Sequence, residues 1–305
     1  MLERLVGNDA LKSELGTALR GGRLPHAILL VGEPGCGAGF AARCLAADYL
    51  YPQGGAHAEA VLKKEDAECL VLQGEGASGQ IPVKKVREAR EAIQRSALST
   101  DAAGRVLFIY GAQNLNGSSA NAMLKIIEEP PEGVLFLLTA ASAATVLPTI
   151  RSRCAAYTIA PVPTADCAAR LRAERLPAKA ADELAFLYEG HIGTALKSWN
   201  DPAFKSALGM AKTLCGYAAQ GDTYRALALL TKYERDKEGF TALLWQLDQL
   251  CSAVLRRPAY GQEQCNGLTP DAAAKILNAD ARARKALTGN GNLRLNAAVL
   301  AGEIA

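Results

Sequence analysis

At 305 residues the chain has room for two or three domains, and its 50% apolar and 21% charged residues describe a globular protein with ample core material. A formal charge of +3 is too slight to mark a nucleic-acid binder by itself. No apolar run reaches the length of a membrane span, and Met1-Leu2-Glu3-Arg4 has no secretory pattern, so no membrane association and a cytoplasmic location are expected.

In chain order, Leu11, Leu15 and Leu19 place an amphipathic helix over 9–22, stopped by Gly21-Gly22. A strand over 27–31 (Ala-Ile-Leu-Leu-Val) follows, then a glycine-rich loop and a helix over 38–50, broken by Tyr51-Pro52-Gln53-Gly54-Gly55. Residues 69–73 make a second strand, and Ile81-Pro82-Val83 opens a helix over 83–97. Strands over 106–110 and 134–139 complete the set. Short continuous apolar runs alternating with helices predict a parallel sheet covered on both faces. After Pro161-Val162-Pro163 strand signals cease. A small helical unit over 164–200 and a helical remainder follow, with breaks near 216–222, 257–266 and 289–292.

The eight cysteines (36, 44, 69, 154, 167, 215, 251, 265) form no C-x-x-C pair, and His26, His57 and His191 have no ligand spacing. They read as thiols of a reducing compartment, with no metal bound.

The loop Gly32-Glu33-Pro34-Gly35-Cys36-Gly37-Ala38-Gly39 has the spacing of the phosphate-binding pattern G-x-x-x-x-G-K-S/T, in its required place between a strand and a helix. Ala38 stands where the lysine belongs and Gly39 where the Mg²⁺-binding hydroxyl belongs. The lysine puts positive charge over the β and γ phosphates and the hydroxyl holds the metal. Neither Ala nor Gly does either. The strand over 106–110 should end in acids that order Mg²⁺ and activate water, and it ends in Tyr110-Gly111. Loop and strand end are defective together, so the expectation is a degenerate nucleotide site with no cofactor.

Three further stretches occur in one order: Leu24-Pro25-His26-Ala27, Asn121-Ala122-Met123-Leu124-Lys125-Ile126-Ile127-Glu128-Glu129-Pro130-Pro131, and Ser152-Arg153-Cys154. Taken singly, the second reads as an ordinary amphipathic helix stopped by two prolines, and Arg153 as a surface arginine. Taken together they resemble the clamp-loader branch of the AAA+ ATPases, and within it the delta-prime family of bacterial DNA polymerase III loaders. The likeness is strong over the first 163 residues and weaker beyond, where Asn292-Leu293-Arg294-Leu295 resembles a stretch near the family's C-terminus.

The resemblance implies an AAA+ α/β domain over 1–163, a helical lid over 164–203 and an all-α collar for oligomerisation over 204–305. It implies a subunit of the polymerase III holoenzyme that does not hydrolyse ATP itself. Arg153 would be an arginine finger acting in trans on a neighbour's ATP site, supported by Ser152 and Cys154, with Arg151 as the alternative. Partners would be the loader's ATPase and clamp-opening subunits and, through the complex, the sliding clamp and primer–template DNA. A sensor arginine expected near 190–194 is replaced by Gly193. The family's four-cysteine zinc module has no counterpart, since Tyr51–Glu68 holds no cysteine and offers only His57. Two rival readings stand beside this one. One is a divergent ATPase in which Lys12, Arg43 or another lysine replaces the missing lysine. The other is an interaction module outside replication. Arg256-Arg257 and Arg282, Arg284 and Lys285 read equally as DNA contacts or as solvated helix faces.

Overall fold

The computed structural model describes residues 1–76, 79–94, 99–288 and 292–304. The chain packs as two compact units, Met1–Glu174 with Gly190–Gly193, and Arg175–Glu189 with Thr194–Ala305.

The first unit opens with α1 (Asp9–Arg20), β1 (Ala27–Val31), α2 (Ala38–Leu50), α3 (Ala56–Lys63) and β2 (Cys69–Gln73). It continues through α4 (Val83–Ile93), β3 (Arg105–Tyr110), α5 (Gly117–Glu128) and β4 (Val134–Ala140). It closes with α6 (Pro148–Arg151), β5 (Ala155–Thr158) and α7 (Thr164–Ala173). The five strands pair in the order β2-β3-β4-β1-β5, and every pairing is parallel.

Successive residues of a strand face opposite sides, so each buried strand feeds two cores. Ile28, Leu30, Val106, Phe108, Leu135 and Leu137 pack with α1, α2 and α3. Leu29, Leu107, Ile109, Phe136 and Leu138 pack with α4, α5 and α6. This two-sided burial is why the central strands read as unbroken apolar runs. Helix α2 is buried almost all round through Ala41, Ala42, Cys44, Leu45, Ala46, Ala47 and Leu50, so small residues let it lie close on the sheet.

Two elements differ from the sequence expectation. β5 lies beyond the point set by the strand signals of 134–139, and its Ala-Ala-Tyr-Thr sequence alternates between half-buried and exposed positions. β2 was expected among the buried strands, but it is the other sheet edge, with Val71 44% exposed. An edge strand needs one neighbour and one covered face, so its sequence carries a weaker apolar signal. Helix α3 follows directly on the break at 51–55, in residues for which the sequence reading gave no element. The C-terminal part of the helix expected over 83–97 falls at 95–97, outside the described residues.

The second unit contains α8 (Ala178–Leu187), most of α9 (Ile192–Asn200), α10 (Pro202–Gln220), α11 (Thr223–Leu230) and α12 (Lys237–Arg256). It ends with α13 (Pro258–Gln264), α14 (Pro270–Thr288) and α15 (Leu293–Ile304). Gly216 does not break α10. It is buried, and a Cβ there would meet Asn266 Nδ2 at 2.7 Å, so glycine serves a close approach; the helix stops at Gly221, with φ of 68°. The break expected at 257–266 contains α13, and most of that at 289–292 lies outside the described residues. The core holds a polar cluster where the Tyr188 hydroxyl lies 2.9 Å from Ser198 Oγ and 3.0 Å from Gln246 Oε1.

Candidate functional site

The glycine loop joins the C-terminal end of β1 to the first turn of α2, as a phosphate-binding loop must. Gly37 caps α2 with φ of 107°, a conformation that side chains resist. Gly32 is fixed by space: a Cβ there would lie 2.4 Å from Cys36 Sγ and 2.6 Å from the Ile159 carbonyl oxygen. The glycines thus serve the backbone path whether or not a phosphate binds.

Loop and β3 end together line a cleft of about 470 Å³, with Gly35, Ala38, Arg43, Tyr110, Gly111 and Thr139 among its walls. No ammonium, metal-binding hydroxyl or carboxylate occupies the three expected positions, Ala38, Gly39 and Tyr110-Gly111. The Tyr110 ring fills part of the space instead. It stacks on Phe108 with centroids 5.6 Å apart, and its Cε1 lies 3.4 Å from where a Gly39 side chain would begin. Burial raises the Tyr110 phenol above its ordinary value. The neighbouring Arg43 guanidinium opposes that rise, although Arg43 Nε and the phenol oxygen make no hydrogen bond of good geometry. Gly111 donates its N–H to Thr139 Oγ1 at 3.2 Å, so the hydroxyl at the end of β4 serves the backbone. Of the two proposed lysine substitutes, Arg43 reaches the cleft. Lys12 does not; it bonds the Leu5 carbonyl at 3.2 Å and pairs with Asp9 at 2.7 Å. Gly193, where the resemblance implies a sensor arginine, donates its N–H to the Gly35 carbonyl at 2.8 Å.

The three ordered motifs converge elsewhere. His26 precedes β1, the Asn121–Pro131 segment precedes β4, and Ser152-Arg153-Cys154 precedes β5. Because these strands run parallel and adjacent, all three motifs lie at the N-terminal end of the sheet, opposite the glycine loop at the C-terminal end of β1. His26 Nε2 lies 2.9 Å from the Ile127 carbonyl oxygen in the last turn of α5, an acceptor that the helix itself leaves open. Arg153 Nε donates to Glu128 Oε1 at 2.6 Å, and a second guanidinium nitrogen lies 2.5 Å from the same oxygen. The third nitrogen donates to the Thr149 carbonyl at 3.0 Å and to Ser152 Oγ at 3.3 Å. Arg151, two residues away, bonds the Ala143 carbonyl at 3.3 Å. Cys154 is half-buried, and burial pushes its thiol up to about 11.

β1 has five residues, and at about 3.3 Å per residue a strand of that length puts roughly 15 Å between its two ends. Arg153 is therefore remote from the cleft of its own chain. Glu128 was visible within a motif, but nothing in the sequence linked it to Arg153. Thr139 gave no signal beyond its place at the end of an apolar run.

The other candidates resolve differently. His57 stacks on Tyr51 at 5.2 Å and lies 3.5 Å from Asp66, whose carboxylate accepts from the Tyr51 hydroxyl at 3.0 Å. Among the described residues no group of three or more His, Cys, Asp or Glu is placed to hold a metal ion. All eight cysteines are free thiols. Arg257 pairs with Glu263 at 2.8 Å, Arg282 with Glu303 at 2.9 Å and Arg284 with Asp280 at 2.5 Å, and Arg256 pairs with Glu189. These arginines are occupied within their own unit rather than presented as an open basic stripe. Among the described residues no helix is long and apolar enough to cross a membrane.

Residues 7–163 match the family described as DNA polymerase III, delta subunit. The chain belongs to that family. The DNA polymerase III subunit delta' of Escherichia coli K12 is 26% identical over 274 residues, covering 87% of this chain and 80% of that one. The gamma/tau subunit of Mycobacterium tuberculosis is 33% identical over 158 residues, covering 49% of this chain and 27% of its own length. The chain thus spans about a quarter of those gamma/tau relatives. Among solved structures, a RuvB from Thermotoga maritima superposes with a TM-score of 0.51 at 15% identity, covering 98% of this chain and 87% of that one. The fold class expected from the sequence, an AAA+ parallel-sheet domain followed by helices, is the one observed.

Proposed function

We propose that this chain is a non-hydrolysing clamp-loader subunit of DNA polymerase III that supplies Arg153 to the ATP site of a neighbouring subunit. The observation that carries this reading is positional. Arg153 is 38% exposed at the end of the sheet opposite its own glycine loop, so it is available to another chain's phosphates and not to its own cleft. A planar, permanently charged guanidinium suits charge that develops on a transferring phosphoryl group.

In this reading the chain's own cleft is a degenerate site that takes up no nucleotide cofactor. The family membership and the delta' relative support a place in the loader ring with ATPase subunits and a clamp-opening subunit. Action on the sliding clamp and primer–template DNA follows through that complex. We assign residues 1–163 to the AAA+ domain, 164–203 to a lid and 204–305 to a collar that carries assembly.

Reconstitution tests the proposal. Mixed with clamp-loader ATPase and clamp-opening subunits, the chain is expected to co-purify in a complex whose ATPase is stimulated by clamp and primed DNA. Failure to enter such a complex overturns it.

A further inference from the structure

Glu128 occupies a place that helix stability does not explain. It is the last residue of α5, against the negative end of the helix dipole, where a carboxylate is disfavoured. What it gathers is Arg153, with Nε at 2.6 Å and a second guanidinium nitrogen at 2.5 Å, both on Oε1. With the Thr149 carbonyl and Ser152 Oγ on the third nitrogen, four of the five guanidinium N–H donors are engaged.

Neither partner is buried: Arg153 is 38% and Glu128 47% exposed. An exposed pair adds little to stability. Its effect is geometric, because a planar cation held along two edges keeps one orientation. Both ends of the pair also rest on fixed elements. The α5 side is tied by His26 to the Ile127 carbonyl and stopped by Pro130-Pro131. The Arg153 side follows α6, which is anchored by Ile150 with no solvent exposure.

We infer that Glu128 is a positioning residue for Arg153, holding the guanidinium in one plane so that it meets the anionic phosphoryl group of a neighbouring subunit already oriented. The inference rests on the reading of Arg153 as a trans-acting finger. A flexible arginine must be ordered during each turnover, whereas an oriented one is not. Glu128 therefore acts on turnover more than on nucleotide affinity.

The test compares loaders reconstituted with unmodified chain, Glu128→Ala, Glu128→Gln, Arg153→Ala and the double variant, measuring clamp- and DNA-stimulated ATP hydrolysis. Glu128→Ala is expected to lower kcat about fivefold with KM within about twofold. Glu128→Gln, which keeps an acceptor oxygen, is expected to recover part of the loss. The double variant is expected to match Arg153→Ala alone, because Glu128 acts through Arg153. The melting temperature of Glu128→Ala should equal that of the unmodified chain. If Arg153→Ala is slow and Glu128→Ala is not, the positioning role fails while the finger stands. An additive double variant, or a Glu128→Ala loader faster than the unmodified one, also overturns the positioning role. If Arg153→Ala itself runs at the unmodified rate, finger and positioning role fall together.

Discussion

Gly193 donates its backbone N–H to the carbonyl oxygen of Gly35 at 2.8 Å, so the start of α9 rests directly on the glycine loop. A Cβ on Gly193 would lie 3.0 Å from that oxygen and 3.2 Å from Gly35 Cα. A side chain at this position would need the loop backbone to give by a few tenths of an ångström. Glycine at this position therefore suits the close approach of the loop backbone.

The isolated chain is expected to bind Mg-ATP weakly or not at all and to turn over none. Ala38→Lys with Gly39→Thr should fold, since a Cβ at Gly39 would meet Tyr110 Cε1 and Arg43 only at 3.4 and 3.8 Å. That double variant should gain roughly tenfold in affinity, about 1.4 kcal/mol, yet release no phosphate, because Tyr110-Gly111 supplies no acid. Calorimetry and a phosphate-release assay decide both points. Micromolar affinity or robust turnover by the unmodified chain would revive the divergent-ATPase reading.

Arg153→Ala should leave folding and assembly intact while slowing the clamp- and DNA-stimulated ATPase of the reconstituted loader. Fingers in GTPases contribute roughly 10³–10⁵ in rate. A loader with several active sites should lose less, since this chain faces one of them. Arg153→Lys should rescue poorly, because a point charge does not reproduce the planar fork. Arg151→Ala is the control, expected to be milder because that side chain bonds only the Ala143 carbonyl. Steady-state rates at saturating ATP separate the variants, and loss confined to KM would count against a transition-state contact.

Purified chain is expected to carry no stoichiometric zinc. His57 is engaged with Tyr51 and Asp66, and Tyr51–Glu68 holds no thiol to join it. Elemental analysis showing one zinc per chain would mean that distant cysteines converge as ligands.

Asp280 should make the second unit lose stability as pH rises. Burial at 2% exposure raises its carboxyl to about 6, against the opposing pull of Arg284, with nearby Asp248 adding to the rise. Its folded value exceeds its unfolded one, so the folded state binds the extra proton. The contribution is complete below the unfolded value near 3.8 and lost as pH climbs through about 6. The difference amounts to at most about 3 kcal/mol. Urea midpoints measured from pH 4 to 7 should fall with pH in the unmodified chain and flatten in Asp280→Asn. An unchanged slope in the variant would remove Asp280 as the cause.

Much of this architecture was legible in the residues, for reasons that are local. β1, β3 and β4 are covered on both faces, so their apolar runs are continuous. Helix α2 begins where the glycine loop ends, and Pro130-Pro131 stops α5 by sterics alone. The missing chemistry of the loop was legible too, because Ala38 and Gly39 lack the needed atoms in any conformation. β5 and α3 were not legible: a short edge strand and a brief surface helix bury too little to impose a pattern. The break near 216–222 falls at Gly221 and not at Gly216, since glycine inside a helix has the same sequence signature whether it breaks the helix or admits a neighbour.

What the sequence determined was therefore the inventory: a parallel-sheet domain, a glycine loop with phosphate-loop spacing but without the lysine and hydroxyl, and an arginine in a distinctive setting. Tertiary structure decided which of these meet. Parallel pairing sends His26, Glu128 and Arg153 to one end of the strands and the glycine loop to the other. It also seats Gly193 on Gly35 across more than 150 residues of chain, 193 minus 35. Such contacts depend on strand order and direction, which are set by how whole elements bury their faces together, and no single segment encodes them.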